Sequence, residues 1–170
     1  SSCGSGSGVV VPETGILLNN MLGEEDLNPG GFGQVRPGMR MTSMMAPTIA
    51  VRRGTPMVAL GSAGSNRLRS AILQTLVDVI DRGRSVHEAV DLARIHPERD
   101  GIDVEFGVPD QVCDALAAGG YRLRRWQSRN LFFGGVSAVS SVDGRLDGAG
   151  DPRRGGAAAG VTHDGEVVDL

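Results

Sequence analysis

The chain has 170 residues, a net charge of −3 and 40% hydrophobic residues, enough for one domain with a real core rather than two. With no basic block and only 4% aromatic residues, it offers nothing expected of a nucleic-acid-binding surface. No apolar run approaches the length of a membrane span, and no signal peptide opens the sequence.

In chain order, Ser1 to Gly8 is rich in small residues and reads as irregular. Val9-Val10-Val11 and Ile16-Leu17-Leu18 are short apolar runs broken by Pro12 and Gly15, which predicts two strand pieces. Residues 19–40 form a long loop with turn chemistry at Asn28-Pro29-Gly30-Gly31 and Arg36-Pro37-Gly38. Loops of that length inside a compact domain are usually functional. Thr48 to Arg53, a Gly54-Thr55 turn and Met57 to Leu60 predict a β-hairpin.

From Asn66 onward, Leu68, Ile72, Leu76, Val79 and Ile80 recur at helical spacing, and Gly83 stands just past the end. Ser85 and Glu88 have capping-box spacing and open a second helix through Val86, Ala89, Val90 and Ala93. Ile102 to Phe106 alternates as a strand. Pro109 to Ala118 predicts a third helix closed by Gly119-Gly120. Tyr121 to Trp126 and Val136 to Val142 alternate again, with a hairpin turn at Asp143-Gly144. There is no internal repeat. The expected class is α/β of the α+β kind, with largely antiparallel strands.

Gly61-Ser62-Ala63-Gly64-Ser65 lies between an apolar run, Met57 to Leu60, and the helix that opens at Asn66. A small-residue loop feeding a helix N-terminus suits negative charge, because the first helical N–H groups lack intrahelical partners. Taken alone, the same residues read as a structural turn. Cys3 lies in the glycine-rich N-terminus and Cys113 in a helical pattern, and neither has a neighbouring histidine suited to a Cys–His nucleophile. His87, His96 and His163 show no metal-ligand spacing and read as surface or structural residues.

Four stretches in order carry a resemblance: the ungapped run Gly6 to Asn20, the run Arg40 to Thr48, the Gly61 to Ser65 loop, and Asp151-Pro152-Arg153. Together they resemble the small subunit of the γ-glutamyltranspeptidases, a family of N-terminal-nucleophile hydrolases. The resemblance implies part of an αββα sandwich. It implies an enzyme that cuts itself before a threonine and cleaves γ-glutamyl amides, such as glutathione-like donors, through an acyl-enzyme resolved by water or an amine. That threonine would stand upstream of Ser1, so this chain alone is expected to be inactive. The partner implied is the large subunit of the same precursor. No cofactor and no metal is implied, and the family points to the periplasm or a secreted enzyme, with a cytoplasmic one left open.

The resemblance also assigns roles. Gly64 and Ser65 fall where two glycines donate backbone N–H groups to the oxyanion, a role expected to survive at Ser65 if its φ is negative. Thr42 and Ser43 match paired serines that hold the substrate α-carboxylate. Glu24 falls at the aspartate that meets the α-ammonium, with Glu25 and Asp26 as alternatives, while Met21 replaces a glutamine. The segment between Glu24 and Thr42 is shorter than in members with a long lid, which implies a more open cleft. Asp151-Pro152-Arg153 is expected to be structural, with Arg153 pairing locally. The alternatives are an acylase acting on other amides, such as cephalosporin side chains, and a non-catalytic binding domain that keeps the pocket.

Overall fold

The computed structural model describes residues 6–142 and 144–169, and the chain forms two compact units, Ser1–Met45 and Ala46–Leu170. Cys3 and Asp143 lie outside the described residues.

In the first unit the two apolar runs, expected as strand pieces, meet through an isolated antiparallel bridge between Val10 and Leu17. Ser7 N donates to Leu18 O, Leu18 N to Val9 O and Val11 N to Ile16 O, each at 2.9 Å. The reversal between them uses positive φ at Glu13 (62°) and Gly15 (67°). The long loop begins with two single 3-10 turns, Met21–Gly23 and Glu25–Leu27. Met21 and Leu27 are the buried apolar residues of this unit, while Ile16, Leu22, Phe32 and Met39 are exposed.

The second unit is built on a four-stranded antiparallel sheet, ordered β1-β2-β6-β7: β1 (Thr48–Arg52), β2 (Thr55–Ala63), β6 (Gly135–Val142) and β7 (Arg145–Gly150). The β1–β2 turn uses Arg53 and Gly54 at φ 50° and 84°, the left-handed pair that matches the twist of a hairpin. β2 runs further than the apolar pattern predicts, because Gly61, Ser62 and Ala63 still pair with Ser137, Val136 and Gly135 of β6. One sheet face carries Val58, Leu60, Val136, Ala138 and Ala149, all buried. Helices α1 (Leu68–Ile80) and α2 (Val86–Asp91) pack against β2, β6 and β7. Ile49, Val51, Val139 and Leu146 are exposed, and Ala59 with them. They alternate along their strands with the buried set, so an apolar second face stands uncovered.

Helix α1 starts later than Asn66, after a 3-10 turn at Ser65–Arg67. The capping box of α2 is present: Ser85 Oγ accepts from Glu88 N at 3.2 Å, and Glu88 Oε2 accepts from Ser85 N at 3.0 Å. A smaller sheet joins β3 (Ile95–Glu98), β4 (Gly101–Val104) and β5 (Leu123–Arg125), with β3–β4 antiparallel and β4–β5 parallel. The parallel pair is linked through α3 (Asp110–Ala118). β3 escapes a period-two reading because it contains Pro97, which is admissible since β3 is an edge strand. Ile102, Val104 and the free thiol of Cys113 form the core under this sheet. A short hairpin, β8 (Ala159–Val161) with β9 (Val167–Asp169), follows. Among the described residues no helix is long and apolar enough to cross a membrane.

Candidate active site

Glu24 is the hinge between the two 3-10 turns, with extended backbone (φ −91°, ψ 123°). It is half-buried, whereas Glu25 and Asp26 are exposed. The turn is tied down by Asn28, whose Nδ2 donates to Leu22 O at 3.0 Å and Glu24 O at 2.7 Å. Leu27 N also donates to Glu24 O, at 3.1 Å. The Leu27 carbonyl in turn accepts from Thr42 Oγ1 at 2.9 Å. Two residues singled out from sequence, Glu24 and Thr42, are thus joined through Leu27. The Thr42 hydroxyl proton goes to that carbonyl rather than outward. The Ser43 hydroxyl accepts from Met45 N at 3.2 Å, and among the described residues its own proton meets no acceptor. Met21 is buried.

The Gly64–Ser65 turn departs from expectation. Ser65 has φ 53°, not a negative φ, and Gly64 before it has φ 123°. The chain must reverse from β2 into α1 within these residues, and two left-handed dihedrals achieve it. Ser65 therefore holds the conformation that a glycine takes freely, at a strain cost of about 1 kcal/mol for a residue with a Cβ. Gly64 cannot be replaced so cheaply. A Cβ there would stand 2.8 Å from the Cα of Gly134, which itself has φ 87°.

Asp151 and Arg153 are structural, and their partners extend well beyond local pairing. Asp151 Oδ2 meets Arg94 Nη2 at 2.7 Å and accepts from Val136 N at 2.9 Å. Arg153 pairs locally with Asp151 Oδ1 at 3.1 Å and, across the fold, with both carboxylate oxygens of Glu105. Glu105 also accepts from the backbone N–H groups of Arg94 and Asn130. All four side chains are buried. Burial by itself raises the Asp151 pKa, but Arg94 and the Val136 and Arg153 amides outweigh it and hold it below the usual aspartate value. Burial dominates at Arg94 and lowers its pKa. Arg94 and Glu105 carry no signal in hydrophobic periodicity; a glutamate placed among the alternating residues 102–106 was the one available hint.

His96 is a buried structural residue. Its Nδ1 lies 2.8 Å from Ser70 Oγ and its Nε2 3.1 Å from Glu98 Oε1, linking α1 to β3. Burial pushes its pKa down against the pull of Glu98. Among the described residues no group of His, Cys, Asp and Glu is arranged to hold a metal ion.

The chain is similar to known proteins in sequence and in fold. A family model for gamma-glutamyltranspeptidase matches residues 2–161. The chain is 34% identical over 158 residues to the acylase ACY 1 proenzyme of Pseudomonas sp. (strain V22), covering 92% of this chain and 28% of that protein. It is 33% identical over 159 residues to the glutathione hydrolase proenzyme of Bacillus subtilis (strain 168), covering 92% of this chain and 27% of that one. It therefore spans under a third of the length of these curated relatives. Among solved structures, the gamma-glutamyltranspeptidase from Pseudomonas nitroreducens complexed with L-DON superposes with a TM-score of 0.75 at 33% identity, covering 92% of this chain and 88% of that chain. The mixed α+β architecture with mostly antiparallel sheets is that of these N-terminal-nucleophile hydrolases. On the family match, the shared fold and the motifs in order, the chain belongs to the γ-glutamyltranspeptidase family.

Proposed function

We propose that this chain is the C-terminal, small-subunit part of a γ-glutamyltranspeptidase-like enzyme. The complete protein cleaves γ-glutamyl amides through an acyl-enzyme on a threonine outside these residues. The threonine hydroxyl attacks the γ-carbonyl while its own α-amine takes the proton, and that proton passes to the departing amine. Water or an acceptor amine then resolves the ester. The N–H groups of Gly64 and Ser65 receive the oxyanion; Ser65 keeps its backbone donor, although its φ of 53° is not the negative value on which that role was expected to depend. Glu24 meets the α-ammonium, and Ser43 donates to the α-carboxylate.

The observation that supports the substrate reading is the chain Glu24–Leu27–Thr42, which ties the backbone of half-buried Glu24 to the hydroxyl-bearing segment. The large subunit is the partner. The relatives are proenzymes, and the exposed face with Ile49, Val51, Val139 and Leu146 is the kind of surface that a second sheet covers.

A second reading, an acylase on other amides, is favoured by buried Met21 and by the commitment of the Thr42 proton to Leu27. Both remove polar contacts that a glutamyl headgroup would use. Turnover of γ-glutamyl and glutaryl (desamino) p-nitroanilides by the complete protein separates the two. A γ-glutamyl preference of tenfold or more in kcat/KM, roughly one charge-assisted contact, supports the first reading. Equal or inverted preference replaces it with the acylase.

A further inference from the structure

A backbone amide serves as an oxyanion donor only if its N–H is aimed before the charge develops. The N–H of Gly64 shares one planar trans peptide with the carbonyl of Ala63, so the two point in opposite directions and fixing one fixes the other. Ala63 ends β2 paired with Gly135 of β6, and a side chain also engages its carbonyl. Ser62 Oγ donates to it at 2.8 Å and accepts from Gly135 N at 3.2 Å. The hydroxyl thus bridges the last residues of β2 to the first residue of β6 and uses both its donor and an acceptor site.

The anchor on the far side is rigid. Gly134 leaves no slack, because a Cβ there would stand 3.0 Å from Ser62 Oγ, 3.0 Å from Ala71 Cβ and 3.2 Å from Ala63 O. Its neighbours are fixed in turn. Arg94 Nη1 donates to Phe133 O at 3.1 Å, and Asp151 Oδ2 accepts from Val136 N at 2.9 Å. Ser62 therefore connects a clamped segment to the peptide whose direction matters.

We infer that the Ser62 hydroxyl is a positioning group that aims the Gly64 N–H at the oxyanion, an inference that rests on the role proposed above for Gly64. Without the hydroxyl, the Ala63–Gly64 peptide keeps its pairing with Gly135 but loses this second restraint, and glycine at 64 lets it rock more widely. The donor is then present but misaimed.

The test uses the complete, matured enzyme. Ser62→Ala should lower kcat about tenfold to a hundredfold, less than outright loss of an oxyanion donor, with KM for the γ-glutamyl anilide within about twofold. Affinity for a donor analogue carrying a boronic acid at the scissile carbonyl should fall by the same factor, and affinity for glutamate should not. Ser62→Thr, which keeps the hydroxyl, should restore kcat to within about threefold of wild type. If Ser62→Ala does not mature, Ser62→Cys, with a weak donor of similar size, takes its place under the same readouts. An unchanged kcat overturns the inference, as does a loss that glutamate affinity shares or that threonine does not rescue. Conversion of the Gly64 amide to an ester, through glycolate at position 64, separates the two levels. If the ester loses kcat and Ser62→Ala does not, only the positioning role falls. If the ester keeps full kcat, the oxyanion reading falls and takes this one with it.

Discussion

The Arg153 guanidinium grips Glu105 with two parallel hydrogen bonds, Nε to Oε1 at 2.8 Å and Nη2 to Oε2 at 2.6 Å, with neither side chain exposed. Desolvating both charges is compensated only because every strong site is used: Arg153 also meets Asp151 Oδ1 and the carbonyls of Val90 and Leu92. Removing one partner leaves buried charge behind. Arg153→Ala should therefore destabilise the protein by about 3–5 kcal/mol, seen as lost mature yield and a lower thermal midpoint. Arg153→Lys should recover little of this, since an ammonium cannot make the bidentate contact.

Glu24→Gln in the complete enzyme should raise KM for γ-glutamyl donors about tenfold and leave glutaryl donors within about twofold, as loss of one charge-assisted contact requires. Steady-state kinetics on the two anilides measure this. Equal effects would move the role to Glu25 or Asp26.

Ser65→Gly should be tolerated and even stabilising, by up to about 1 kcal/mol, because φ 53° strains serine and suits glycine. Ser65→Ala should be close to neutral for kcat. Ser65→Pro should abolish activity by distorting the turn, since the proline ring fixes φ near −65°. Melting curves beside kcat would show these distinctions, and a proline variant with a native midpoint would contradict the turn geometry.

His96 makes stability depend on pH. Its pKa is lowered in the folded state, so the unfolded chain binds the proton first. The contribution is fully present above about pH 6.5, the ordinary histidine value, and is lost as pH falls through the folded value. His96→Asn should lower stability at pH 8 and flatten its decline below pH 6.5. Thermal midpoints across pH 5–8 test this, and an unchanged slope would count against it.

The 170 residues by themselves should hydrolyse no γ-glutamyl anilide, because the proposed nucleophile lies outside them. Turnover by the purified chain that is abolished by a substitution within it would overturn the proposed division of labour.

The sequence by itself determined the elements whose signals are local. The spacing of Leu68, Ile72 and Leu76, the Ser85–Glu88 capping box and the alternation of Val136 to Val142 each encode their own segment, and the structure contains all three. The motifs that carry the family were legible for the same reason, as contiguous residues. Tertiary structure decided the rest. Arg153 and Glu105 lie 48 residues apart, and no periodicity connects them. The positive φ of Ser65 follows from the reversal between β2 and α1, with Gly64 pressed against Gly134, a contact no local pattern contains. Likewise the Thr42 hydroxyl found its acceptor on Leu27 only once the intervening loop had folded back. A side chain's type sets what it can bond, but its partner is chosen by the fold, since long-range pairing depends on where distant backbone is held.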